Sequence, residues 1–166
     1  ITEGKDASTV KEFVKDLSSH GGSAQQITHT SIDMSPAFIS GVGKYLPESE
    51  ITFDKFHIVK IINKAVGEVR RIEALEEPIL KKARYSVLKN KENLTKKQQE
   101  KRTEIESQGW LLKTYRAMRM REFFQEAYNA SDAQSFEKHL NKWYWWASHS
   151  RIEPMKAAAR TIKAHW

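Results

Sequence analysis

Two short apolar runs in this chain each end on an aspartate, and each aspartate is followed by the start of a helix. The first run is Ile27 to Ile32, rich in Ile and Thr, ending at Asp33, with Ser35-Pro36 just beyond. The second is Glu50 to Phe53, ending at Asp54. Runs of this length and residue type read as strands. Ser35 before Pro36 reads as an N-cap followed by proline at the first helical position. A helical stripe of Phe38, Ile39, Val42, Tyr45 and Leu46 fills the interval, and Pro47 closes it. Strand, helix and strand in that order usually build a parallel sheet with a right-handed crossover. The Asp33 carboxylate then sits at the carboxyl edge of the sheet, where open α/β folds present ligands, and Asp54 stands at the start of the next helix.

An earlier helix precedes this unit. Asp6 is a candidate N-cap, and Val10, Phe13, Val14 and Leu17 form one buried stripe. Thr9 with Glu12 offers a second possible capping box, and Gly21-Gly22 ends the helix. After residue 56 the pattern becomes wholly helical. Ile58, Ile61, Ile62, Ala65, Val69 and Ile72 run along one long helix until Pro78. Further helices are expected at about 79–89, 95–107, 110–129, 133–149 and 152–166. Thr95 with Gln98 fits a capping box. The expected fold class is α/β plus all-α: an α/β portion over residues 1–60 and a helical portion over 61–166.

Charge is concentrated. Between residues 79 and 102 stand nine Lys/Arg against Glu92 and Glu100, an excess equal to the net charge of the whole chain, +7. A local positive field of this kind suits phosphate backbones or acidic surfaces; a solvated helical face would show the same pattern. The residues that could meet a phosphate backbone are Lys81, Lys82, Arg84, Lys89, Lys96, Lys97, Lys101 and Arg102. Arg116, Arg119 and Arg121 extend the charge. With 39% hydrophobic and 30% charged residues the chain has enough apolar content for a core. It has no cysteine, no apolar run long enough to span a bilayer and no visible signal peptide. This pattern suits a cytosolic protein. The absence of a native start and a helical run reaching Trp166 suggest an internal piece of a longer protein.

Asp33 is the first candidate for chemistry. A strand-end carboxylate is a hard oxygen ligand of the kind Mg²⁺ takes, and phosphoryl transfer on two metals needs several such groups converging. It could equally cap the next helix with help from Ser35. Asp54 and His57 form an Asp-x-x-His element at the second strand-to-helix junction. It could orient a site or touch DNA, or Asp54 could cap the helix with His57 bonded to it one turn on. Two ligands do not make a metal site. The remaining histidines show no ligand spacing, and Gly41-Val42-Gly43 matches no nucleotide-binding fingerprint. In the run Trp143-Tyr144-Trp145-Trp146, Trp143 shares a stripe with Phe136, Leu140 and Ala147. Core packing or base stacking could explain the other rings, including Trp110 and Trp166.

Taken in order, Glu3-Gly4-Lys5-Asp6, Asp33-Met34-Ser35-Pro36-Ala37-Phe38-Ile39 and Phe53-Asp54-Lys55-Phe56-His57-Ile58-Val59-Lys60 resemble successive motifs of one family. Arg84-Tyr85 to Leu88-Lys89-Asn90 and Glu92-Asn93-Leu94-Thr95 continue the likeness. The chain resembles the DDE-type transposases of bacterial insertion sequences, ISL-three branch. The resemblance implies a ribonuclease-H-like core carrying Asp, Asp and Glu, of which Asp33 matches the second. The other two acids would lie before Ile1 and beyond Trp166, and the helical portion would be an inserted domain. It also implies Mg²⁺ or Mn²⁺ as cofactor and DNA (element ends and target) as partner. A homo-oligomer in action is expected, with no membrane and no small-molecule substrate. The parent would cleave and transfer DNA strands; this piece alone would be inactive. The rival reading is a non-enzymatic basic helical module that binds nucleic acid or protein.

Overall fold

The computed structural model describes residues 2–165, which form two compact units divided between Ile58 and Val59. The first unit begins with helix α1, Ala7–Ser19. Its cap is Asp6, whose Oδ1 accepts from the backbone N–H groups of Ser8 and Thr9 at 2.8 and 3.3 Å. Thr9 Oγ1 accepts from the Asp6 N–H in return. The capping box therefore runs from Asp6 to Thr9, not from Thr9 to Glu12: Asp6 lies outside the helix, while Thr9 is already in its first turn. Bonds from Ser8 hold the Asp6 carboxyl below its ordinary pKa. At the other end the Gly22 N–H reaches back to the Leu17 carbonyl at 3.0 Å, and Gly21 takes the left-handed φ of 81° that the turn needs.

Strands β1 (His29–Ile32) and β2 (Glu50–Phe53) pair in parallel, with His29 opposite Glu50 and Ile32 opposite Phe53. Helix α2, Pro36–Tyr45, makes the crossover. Val10 of α1 meets Val42 and Leu46 in a small core, against which Val14, Ile27, Ile32, Phe38 and Ile51 pack. Gly41 allows the close approach of α1 and α2. A Cβ built there would lie 2.9 Å from Val10 Cγ2 and 3.1 Å from the Ala7 backbone Cα. Gly41→Ala is therefore expected to destabilise this unit by about 1–3 kcal/mol, because overpacking outweighs alanine's better helix propensity. A denaturant titration that gave equal or higher stability would show that the two helices can move apart freely.

The second unit is helical. Helix α3, Lys55–Glu73, enters it across the divide and buries Ile62, Ala65, Val66 and Val69. The single helix expected over 79–89 does not form. Pro78–Leu80 make one 3-10 turn, Lys82 adopts a left-handed φ of 58°, and only Arg84–Leu88 close a short helix, α4. A left-handed residue cannot continue a right-handed helix. Helix α5, Lys96–Gln108, opens on the expected Thr95–Gln98 capping box. Gly109, with φ of 55°, turns the chain into a 3-10 turn through Trp110 and Leu111, so α6 starts only at Lys113 and ends at Glu126. Its start has no cap of its own. The Glu73 carboxylate supplies one, accepting from the Lys113 and Thr114 N–H groups at 2.8 and 2.7 Å. Helices α7 (Ala133–Ser148) and α8 (Glu153–Lys163) complete the unit.

Trp143 is fully buried, packed edge-on against Phe124 at 4.8 Å, and its indole N–H donates to the Met120 carbonyl at 3.1 Å. Leu140 and Ala147 share its buried stripe, as their spacing requires, while Phe136 is only partly covered. Trp145 and Trp110 are exposed, and Trp166 lies outside the described residues. The α/β plus helical class is as read from the sequence. A two-stranded parallel sheet is common to many α/β folds and does not by itself make a ribonuclease-H-like core.

Candidate active-site edge and nucleic-acid interface

The parallel register brings Asp33 and Asp54 to neighbouring positions on one sheet edge. Each follows the last pair of the ladder, Ile32 and Phe53, and the Asp54 N–H donates to the Ile32 carbonyl at 2.9 Å. Asp33 is half-buried. Its Oδ1 accepts from the Ser35 N–H at 2.9 Å, an Asx turn that leads into α2. Ser35 makes no side-chain cap of its own. Asp33 thus helps to start the helix through one oxygen while standing at the strand tip.

Asp54 commits both oxygens locally. Oδ1 accepts from the Phe56 N–H at 2.9 Å, and Oδ2 faces His57 Nδ1 at 3.0 Å. The Phe56 bond first, and His57 second, draw the Asp54 carboxyl below its ordinary pKa. The geometry is that of a helix cap with His57 clamped one turn on, and Phe56 lies edge-on to the imidazole at 5.7 Å. Among the described residues, no group of three or more His, Cys, Asp or Glu is arranged to hold a metal ion.

The basic residues separate into three kinds. Lys81, Lys82, Arg84, Lys96 and Lys97 are exposed. Lys89 and Lys101 are half-covered: Lys89 reaches toward Gln98 Oε1 at 3.5 Å, and Lys101 pairs with Glu104 at 2.8 Å. Arg102 is 2% exposed and is not a surface cation. Its Nε donates to Glu106 Oε1 at 2.9 Å and its second terminal nitrogen pairs with Glu122, which also takes Arg119 at 2.7 Å. Burial opposes the charge on Arg102, yet the two carboxylates more than offset it and raise its pKa. The i, i+4 spacing to Glu106 and the ion pair from α5 to Glu122 of α6 give Arg102 a structural task that charge counting alone could not reveal. Arg102→Ala is expected to cost about 1–3 kcal/mol, because it strips two partly buried carboxylates of their shared cation. Unchanged stability with a weaker salt dependence of DNA binding would instead make Arg102 a phosphate contact.

Sequence reasoning passed over two features beside these residues: a cationic stripe on α3 and the exposed ring of Tyr85. The stripe was legible as Lys60, Lys64 and Arg71 on the polar face of a long amphipathic helix. Among the described residues no helix is long and apolar enough to cross a membrane.

Comparison with known proteins places these elements in a family. The model of the DDE transposase family of ISL3 type, described as a transposase, matches residues 1–166. The transposase for insertion sequence element IS1001 of Bordetella parapertussis is 26% identical over 177 residues, covering 99% of this chain and 42% of that protein. The transposase for insertion sequence element IS1557 of Mycobacterium tuberculosis (strain CDC 1551 / Oshkosh) is 28% identical over 174 residues, covering 86% of this chain and 38% of that protein. The chain therefore spans about two fifths of the length of these relatives. No solved structure matches it. With the whole of its length matched by that family model, the chain belongs to the ISL3-type transposases of insertion sequences.

Proposed function

We propose that this chain is the part of an insertion-sequence transposase that carries one catalytic acid, Asp33, together with a helical DNA-holding region. The full-length parent would cut DNA at the element ends and join the freed 3′ hydroxyl to target DNA. The observation that carries the reading is Asp33 at the carboxyl edge of a parallel strand pair, inside a chain matched throughout by the family. Residues 1–60 would be part of a ribonuclease-H-like core, and 61–166 an insertion within it. The basic helices, as opposed to a stand-alone binding module, would then hold element ends or target.

Mg²⁺ or Mn²⁺ fits this site in kind but not in number. Asp33 is a hard oxygen donor, and the other acids of the set would come from elsewhere in the parent, since the described residues hold no group of three. Such an ion, when bound, supplies charge neutralisation for phosphoryl transfer. The part of the chain's own residues is positional. The Ser35 N–H fixes Asp33 through one oxygen, leaving the other directed by the same turn. Asp54 and His57, locked to each other, stiffen the neighbouring strand end. Lys81, Lys82, Arg84, Lys89, Lys96, Lys97 and Lys101 would contact phosphates, which gives affinity without sequence reading. A homo-oligomer acting on paired DNA ends suits the reading. The test is cleavage and strand transfer by the full-length parent on DNA bearing the element's ends. Retained cleavage after loss of the Asp33 carboxylate would overturn the assignment.

A further inference from the structure

The polar face of α3 and the short helix α4 enclose a groove of about 490 Å³. Lys60, Lys64, Arg70 and Arg71 line it from α3 and Arg84 from α4, against one acid, Glu68. Arg70 is partly engaged, since one terminal nitrogen donates to the Leu80 carbonyl at 3.1 Å. The other four are not held in ion pairs among the described residues. A further cation stands behind the wall. Arg121 is buried, and its Nε donates at 2.7 Å to Oδ1 of Asn63, which also lines the groove. Its second partner is Asn90, at 2.7 Å, and its remaining terminal nitrogen is buried with no partner. Burial draws its pKa down. Its hydrogen-bond partners are both neutral amides, and Glu122 and Glu92 offset its charge only from a distance, so part of that charge adds to the field of the groove.

Where Arg84 leaves the groove, it meets an aromatic ring. The Arg84 guanidinium and the Lys89 ammonium lie over the Tyr85 ring, 5.7 and 5.6 Å from its centre. Tyr85 is nevertheless 55% exposed. A cationic channel leading to an exposed ring that already holds cations over its face suits a single strand, whose base can take the place of a cation there. Phosphates follow the charge and a base stacks on the ring. A base inside a duplex has both faces covered by its neighbours, so it reaches such a ring only after unstacking, which is unfavourable.

We propose that this α3–α4 groove holds an unpaired DNA strand, with phosphates on Lys60, Lys64, Arg71 and Arg84 and one base stacked on Tyr85. The proposal rests on the transposase reading and adds to it a specific surface and a strand state. The experiment measures anisotropy of labelled single-stranded and duplex oligonucleotides across a salt series with the wild-type chain. The same series is run with the triple variant Lys60→Gln, Lys64→Gln, Arg71→Gln, and with Tyr85→Ala and Tyr85→Phe. The wild type is expected to prefer the single strand, and the triple variant to lose about 2 from the slope of log K against log salt. Tyr85→Ala should weaken single-strand binding about tenfold and duplex binding less than about twofold, with Tyr85→Phe close to wild type. Melting curves by circular dichroism establish that each variant is folded. DNA binding with an unchanged slope and no effect at Tyr85 would refute the groove while leaving the transposase reading in place. No binding of either DNA form would refute the groove and count against the DNA-holding role of the helices together.

Discussion

Replacing Asp33 by Asn in the full-length transposase should abolish strand cleavage and leave DNA binding intact. The substitution is close to isosteric, and the amide oxygen of Asn can still accept from the Ser35 N–H as Oδ1 does at 2.9 Å. The turn into α2 is therefore kept, and with it the local fold. What is lost is the negative charge at the strand tip. Removing an outer partner of a metal ligand already costs about 10–100-fold in metal affinity or activity, so losing a ligand itself should exceed roughly a hundredfold. The measurement is cleavage of labelled element-end DNA beside a binding assay on the same protein. Cleavage within a few-fold of wild type would make Asp33 a helix-starting residue and nothing more. Loss of binding together with cleavage would point to a folding defect, which Ser35 should prevent.

The second large effect is expected at Trp143. Its side chain is fully enclosed between α6 and α7, with Phe124 edge-on to it and its N–H committed to the Met120 carbonyl. Trp143→Ala removes the largest buried side chain and opens a cavity that rigid helices cannot close, at a cost of about 3–5 kcal/mol. Domains of this size hold only about 5–15 kcal/mol in all, so the melting temperature should fall by roughly 10 °C or more. Trp143→Phe should lose less, since it keeps much of the volume and gives up only the indole donor. A melting temperature unchanged by Trp143→Ala would place Trp143 outside the core and reopen a stacking role for it. Trp145, on the same helix but exposed, is the matched control.

The contrast between those two tryptophans shows where the sequence was readable. Period told them apart: Trp143 lies four residues before Ala147 and three after Leu140, and all three are buried. Caps were readable at Asp6 and Thr95, each of which carries the side chain that its helix start requires. Parallel pairing followed from the helix between the two strands. Less legible were features set by non-local partners or backbone sign. Nothing in Lys82 announces a left-handed φ, so the basic stretch after Pro78 looked like one helix. Arg102 looked like its lysine neighbours, because Glu122, its partly buried partner, stands 20 residues on. Tyr85 was quoted for its family likeness alone, since exposure of a single ring depends on what packs around it. At the candidate site, the position of Asp33 was legible from the strand and the Ser-Pro start, but its bond from the Ser35 N–H depends on the turn geometry, which residue types alone do not fix.

The cap that Glu73 lends to α6 carries a consequence for the order of assembly. The two amides it satisfies lie 40 and 41 residues further along the chain. A helix of 14 residues is marginal alone in water, and this one lacks a local residue to begin it. Its first turn is completed only when a long intervening segment has closed into place, and that closure must be paid in chain entropy before the bonds form. The sixth helix is thus conditional on the end of the third, and fraying at Glu73 would unlatch a turn far away in the chain.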